Sequence, residues 1–202
     1  MNKTSYLKFK NTLEKTNKTF FSINDLKQFY QNKQESLPVL LSAWKKSNWI
    51  QNLGQGYYAW KLSAVDYLQL ANILDNTSYI SFEYALYYYN LIVQVPSVIT
   101  LATKKRSRTI KMNNQIFEYT HLKNDLFFNI ELKNKIYIAT SEKALADLIY
   151  LISRGKRSAD LTTLNKNSAK NGTGKINKNK LLKILKQFPD YTWKKAKNLG
   201  LI

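Results

Sequence analysis

At about residues 62–77 the hydrophobic pattern of this chain changes from helices closed by a hairpin to a mixture of helices and strands, and that change restricts the fold more than any other feature. Ahead of it, apolar residues recur with a helical period. Tyr6, Phe9 and Leu13 mark a first helix, and Ile23, Leu26, Phe29 and Tyr30 line one face of a second. Leu37, Leu40, Leu41 and Trp44 fall at i, i+3, i+4 and i+7 in a third. Ser22, with Asp25 three residues on, resembles a capping box with a shorter acid, and Ser36 stands where the third helix needs a cap. WIQNLGQGYYAWK (49–61) then offers two short β-like runs around Gly54 and Gly56, a hairpin signal.

Beyond the change, VITLAT (98–103), IFEYTHL (116–122), LFFNIEL (126–132) and KIYIAT (135–140) read as strands. KKRSR (104–108), Asn113 with Asn114, and Lys133 with Asn134 supply the turns. Ser81, followed by Glu83, is placed to cap one helix. Thr140 caps another, SEKALADLIYLIS, which carries Leu145, Leu148, Ile149 and Ile152 on one face. The expected fold class is therefore α+β: an N-terminal winged helix-turn-helix followed by a C-terminal α+β domain. The expected boundaries are a DNA-binding domain over 1–61, a helical linker over 62–77, an α+β domain over 78–153, and a basic flexible segment with a helical tail over 154–202.

Charge points to the class of partner. Thirty-two Lys and Arg stand against thirteen Asp and Glu, a net charge of +19. Such a surplus attracts nucleic acid or an anionic surface, although abundant Lys and Asn also accompany AT-rich coding sequence. The absence of cysteine removes disulfides, thiolate zinc sites and cysteine nucleophiles, and it fits a cytoplasmic setting. The opening MNKTSYLKFK is polar and basic, unlike a secretory signal. The longest apolar run, LIVQVPSVITLA (91–102), is interrupted by Gln94 and Pro96 and falls short of the ~20 residues of a spanning helix, so no membrane partner is expected.

If the third helix enters the major groove, its apolar stripe leaves Ser42, Lys45 and Lys46 outward, with Gln34 and Ser36 near its start. Ser and Gln read base edges, whereas Lys mostly contacts phosphates; a merely solvated face gives the same pattern. In the hairpin, Asn52, Gln55 and Tyr57 are placed either to touch DNA or only to make the turn. Trp44, Trp49, Tyr58 and Trp60 read as core. Lys104, Lys105, Arg106 and Arg108 form the densest basic cluster, either a phosphate-contacting patch or a solvated turn. On either reading all four should tolerate Gln at no more than about 0.5 kcal/mol each. Arg154, Lys156 and Arg157 read as a looser, solvated cluster. No P-loop or GxGxxG occurs, and His121 is the one histidine, so no metal or cofactor is expected. The alternative is a Mg-dependent nucleic-acid-acting enzyme, in which Asp125, Glu131 and Lys133 would form a weak ExK-type site.

Two stretches, SYISFEYALYYYNLIVQVPSVITLATKKRSRTI (78–110) and LFFNIELKNKIYIATSEKALADLIYL (126–151), resemble the AbiEi family, antitoxins of the AbiE abortive-infection systems grouped as type IV toxin–antitoxin pairs. The resemblance is carried by Tyr79, Ile80 and Ser81 leading a helix, by Pro96 and the strand after it, and by Thr103 before a basic turn. The aromatic pair Phe127 and Phe128 and the run ATSEKAL from Ala139 to Leu145 complete it. Ser141 stands where the family often has Pro, and Asn129 where it often has Gly. With the N-terminal unit ahead of it the resemblance spans about residues 6–153 and leaves the tail uncovered. It implies that the N-terminal domain binds and represses its own promoter as double-stranded DNA with inverted repeats. It also implies that the C-terminal domain carries antitoxin activity, countering a nucleotidyltransferase-like toxin without a stable complex.

Overall fold

A computed structural model describes residues 3–31, 36–159, 161, 164 and 176–202. It is a mixed α+β structure dividing into two compact units, Met1–Tyr67 with Met112–Asn114, and Leu68–Lys111 with Gln115–Ile202. Among the described residues no helix is long and apolar enough to cross a membrane.

The first unit runs α1 (Lys3–Glu14), β1 (Phe20–Ser22), α2 (Ile23–Tyr30), α3 (Leu37–Lys46), β2 (Gln51–Gly54) and β3 (Tyr57–Ala59). Strand β3 lies between β1 and β2 and is antiparallel to both. The capping box at α2 closes as its sequence suggests. The Ser22 hydroxyl accepts from the Asp25 N–H at 3.1 Å, and the Asp25 carboxylate accepts from the Ser22 N–H at 2.8 Å. Burial opposes ionisation of Asp25, but the Lys18 ammonium at 2.6 Å and the Ser22 donors outweigh it and hold the carboxyl below its ordinary value. At α3 the expectation fails in one detail: Ser36 makes no side-chain cap bond. Pro38 sits in the first turn instead, where its missing N–H and fixed φ suit a helix start. The β2–β3 loop is two residues long with φ of 49° at Gln55 and 80° at Gly56. Positive φ at both central positions is the mirror-image turn that matches hairpin twist.

Phe9, fully buried, is the hub of this unit. Its ring meets Phe21 edge-on at 5.0 Å, stacks on Trp44 at 5.8 Å and reaches Phe29, Tyr30 and Trp60. Trp44 and Tyr58 are buried in the same cluster, with Trp49 and Trp60 packed against it, so the tryptophans serve packing.

The second unit takes in α4 (Tyr67–Leu74) after its first residue, β4 (Ser78–Ile80), α5 (Phe82–Tyr88), β5 (Ile99–Thr103), β6 (Arg108–Met112) up to its last residue, and β7 (Gln115–His121). It continues with β8 (Ile130–Lys133), β9 (Ile136–Ala139), α6 (Ser141–Ser153), α7 (Lys178–Leu185) and α8 (Asp190–Asn198). The six strands are ordered β6-β7-β5-β4-β9-β8. The sheet is mixed, because β5 runs parallel to β7 and β4 parallel to β9, while β4–β5 and β8–β9 are antiparallel.

Two expected boundaries differ. The expected helical linker, 62–77, contains helix α4, which belongs to the second unit from Leu68 onward, where the Tyr119 hydroxyl donates to the Ala71 carbonyl at 2.7 Å. The Asn72 side chain bridges the Ser78 carbonyl at 3.2 Å and the Tyr137 N–H at 2.8 Å. Likewise the tail is part of the core, since α7 and α8 pack on α6 and bury Leu181, Leu185 and Ala196. Much of the segment expected to be flexible, residues 160, 162–163 and 165–175, lies outside the described residues.

Thr140 caps α6 by accepting from the Lys143 N–H. The expected apolar stripe understates this helix, which is buried on every side from Glu142 to Leu151. Two of the buried residues are charged. Lys143 and Asp147, one helical turn apart and fully buried, form an ion pair. Asp147 also accepts from the Tyr79 hydroxyl at 2.9 Å and the Ser81 hydroxyl at 2.8 Å. Ser81 therefore does not cap α5 as its sequence position suggests; its hydroxyl is committed to Asp147. The Lys143 ammonium also donates to the Tyr79 hydroxyl at 3.0 Å and lies 5.3, 5.0 and 5.2 Å from the ring centres of Tyr79, Phe128 and Phe188, close enough for cation–π attraction. Burial pushes the Asp147 carboxyl up and the Lys143 ammonium down from their ordinary values, and their mutual attraction opposes both shifts.

Removing one partner of such a pair strands the other charge in a dry core, at a cost of about 3–5 kcal/mol. Lys143→Met should destabilise the protein by that amount in urea titrations. Adding Asp147→Leu should recover part of the loss, although Tyr79 and Ser81 then lack their acceptor. A double variant less stable than the single one would show that the pair is not coupled in this way.

Candidate nucleic-acid interface

Helix α3 separates its residues as an amphipathic helix must. Leu37, Leu41 and Trp44 are buried, and Ser42, Lys45 and Lys46 are exposed. Lys45 and Lys46 occupy the last turn, where the partial negative charge of the helix end favours cations. Ser36 is exposed at the helix start, and Gln34 lies outside the described residues. In the hairpin, Gln55 is exposed at the turn. Asn52 is also exposed, but its side chain accepts from the Gly54 N–H at 2.9 Å and so helps build the loop. Tyr57 is half-buried with its ring edge-on to Phe20 at 6.2 Å. Of the hairpin candidates, Gln55 is thus the side chain least engaged in packing or turn formation.

The basic turn between β5 and β6 is not a uniform patch. Asp75, one residue beyond α4, is buried and organises half of it. Its carboxylate pairs with Arg108 at 2.7 Å and Lys105 at 3.3 Å. It also accepts from the hydroxyls of Thr77 and Thr103, each at 2.7 Å. Burial works against its ionisation, but the bonds from Thr77, Thr103 and Arg108 prevail and hold it far below the ordinary aspartate value of 3.8. Arg108 also lies over the Tyr119 ring, 4.5 Å from its centre. Lys104 lies 5.1 Å from the Phe127 ring centre, and Arg106 is exposed. The four cations therefore differ: Arg108, half-buried, and Lys105, itself exposed, pair with a buried acid, while Lys104 and Arg106 are exposed without that partner.

The remaining candidates are dispersed. Arg157, expected to be solvated, pairs with both Glu83 and Glu118 and ties α5 to β7. Arg154 donates to the Tyr150 hydroxyl at 2.9 Å, and Lys156 is exposed. His121 is exposed, with Nδ1 3.1 Å from the Lys105 carbonyl. Glu131 and Lys133 pair with each other at 2.7 Å, Lys133 also donates to the Tyr89 hydroxyl at 3.3 Å, and Asp125 is exposed in a short 3-10 turn. Among the described residues no three Asp, Glu, His or Cys side chains group as a metal site would require.

Sequence reasoning missed Asp75 and Asp147. The second had a legible signal: a Lys and an Asp four apart within an otherwise apolar helix are neighbours on one face and share whatever that face is buried against. The first had none, because its partners come from β5, from the turn after it and from the loop before β4. Compared with protein-family models and with curated proteins, the chain matches none.

Because the folded Asp75 ionises at lower pH than an unfolded aspartate, its contribution to stability is complete above the unfolded value and is lost as pH falls through the folded one. Thermal melts of the wild type should therefore fall progressively below about pH 4. Asp75→Asn should start lower at neutral pH and lose less on acidification. Parallel pH profiles for the two proteins would assign the acid sensitivity to other carboxylates.

Proposed function

We propose that this protein is a DNA-binding regulator whose first unit is a winged helix-turn-helix, acting as autorepressor and antitoxin of an abortive-infection pair of the AbiEi kind. The observation that carries the DNA-binding half is the outward face of α3, where Ser42, Lys45 and Lys46 are exposed opposite a fully buried stripe. That face follows α2 closely and precedes a tight hairpin, the order in which a winged helix presents its recognition helix and wing. The net charge of +19 supplies the long-range attraction to duplex DNA.

The family half rests on the resemblance. The residues that carry it have an identifiable task in the second unit: Tyr79, Ser81 and Lys143 converge on Asp147, and Thr103 converges on Asp75. They read as the parts of a fold and not as a reaction centre. The antitoxin reading accordingly needs no catalysis: it acts in the cytoplasm, represses its own promoter and counters a nucleotidyltransferase-like toxin. Growth rescue on co-expression with the product of the adjacent gene tests this half. The alternative, a Mg-dependent enzyme, has to use Glu131 and Lys133, which are already engaged with each other and with Tyr89.

Anisotropy titrations with labelled duplex from the protein's own upstream region test the first half. Affinity should fall with salt by about −0.9 in log–log slope for each phosphate neutralised. Lys45→Ala with Lys46→Ala should weaken specific and scrambled duplexes alike and reduce the slope by about 2. Ser42→Ala should weaken only the specific duplex, by about 1–3 kcal/mol if a base contact is lost. Unchanged affinities in all three proteins would place DNA binding on another surface.

A further inference from the structure

A cleft of about 310 Å³ opens at one end of the six-stranded sheet, where β4 begins and β5 ends. Its walls include the Phe127 ring, Tyr137 on β9, Ile130 on β8, and Lys104 on the turn after β5, with Asn76 at the rim. Two features separate it from an ordinary surface depression. Tyr137 leaves half its surface exposed, 50%, within a cleft that its own strand lines. Phe127, braced edge-on against buried Tyr79 at 5.2 Å, carries the Lys104 ammonium 5.1 Å from its ring centre. Two aromatic rings beside an outward-facing cation make the pairing that holds a flat, electron-rich ring and an anionic group on the same ligand.

We propose that this cleft binds a nucleotide, with the base against the exposed Tyr137 ring, the phosphate on Lys104, and the Asn76 amide available to the base edge. Its volume is at the lower end of small-molecule sites, which suits one nucleotide and excludes a duplex. The ligand is either a free mononucleotide or one unpaired residue of a single strand, since both present a base and a phosphate. The inference rests on the cleft alone, so it stands or falls separately from promoter binding by the first unit.

The test uses the full chain and calorimetric titration with AMP, GMP, CMP, UMP, an eight-residue single-stranded RNA and inorganic phosphate. At least one mononucleotide or the RNA should bind saturably. Tyr137→Ala should weaken it about five- to hundredfold, the range for losing one base–aromatic stack. Lys104→Gln should weaken it at low salt, with Lys104→Arg restoring it. Lys45→Ala with Lys46→Ala should leave mononucleotide binding unchanged, whatever it does to duplex DNA. Tighter binding of a mononucleotide than of the RNA identifies a free nucleotide, and the reverse identifies a strand; either supports the proposal. No saturable binding, inorganic phosphate binding as tightly as the nucleotides, or binding that responds to Lys104→Gln but not to Tyr137→Ala would overturn it.

Discussion

An ammonium and a carboxylate with no access to water organise the second unit. Lys143 and Asp147 sit on a helix that is buried on all sides, and neither could remain charged there alone. The structure answers with a full set of partners. Tyr79 and Ser81 bring hydroxyls from β4 and the start of α5, and three aromatic faces surround the ammonium. Each partner is thereby fixed in direction as well as in place, because a hydrogen bond to a buried charge is shorter and stronger than a neutral one. The backbone at Phe82 shows the constraint: its φ is 57°, a left-handed conformation that a bulky side chain adopts only when its surroundings impose it. Ser81, bonded to Asp147, and the fully buried Phe82 ring impose it here.

Asp75 plays a comparable part at the end of the sheet, with a different outcome. Its partners lie near the surface, so Lys105 and Arg108 spend their charge inward while Lys104 and Arg106 keep theirs outward. A row of like charges in the sequence is therefore two pairs with different tasks. Lys104 lines an aromatic cleft, and the pairs that Lys105 and Arg108 make with Asp75 hold the turn that presents it.

Elements set by local chemistry could be read in advance. The Ser22 box, the hairpin turn, strands β5, β7, β8 and β9 and the Thr140 cap each depend on residues within a few positions of one another, whereas β6 was not read as a strand. What escaped were features decided by distant partners. Strands β1 and β4, three residues each, are too short to show alternation and exist because β3, β5 and β9 offer them ladders. The helical periodicity of α4 was visible, but not that Tyr119 and Tyr137 would draw it into the second unit. The outward face of α3 followed from its apolar stripe alone. The cleft at Phe127 did not, since it is assembled from four separate stretches of chain.

The covering of α6 also bears on the order in which the chain acquires structure during synthesis. Phe188, one of the three rings around Lys143, and the buried residues of α7 and α8 all come from the last part of the sequence. Until they arrive, α6 has one side uncovered and its buried ammonium lacks part of its enclosure. The first unit takes nearly all its residues from the first third of the chain, and domains form as units from the N-terminus as they emerge. In a nascent chain nearly all of the N-terminal unit is therefore available to fold before the residues that cover α6 have been made.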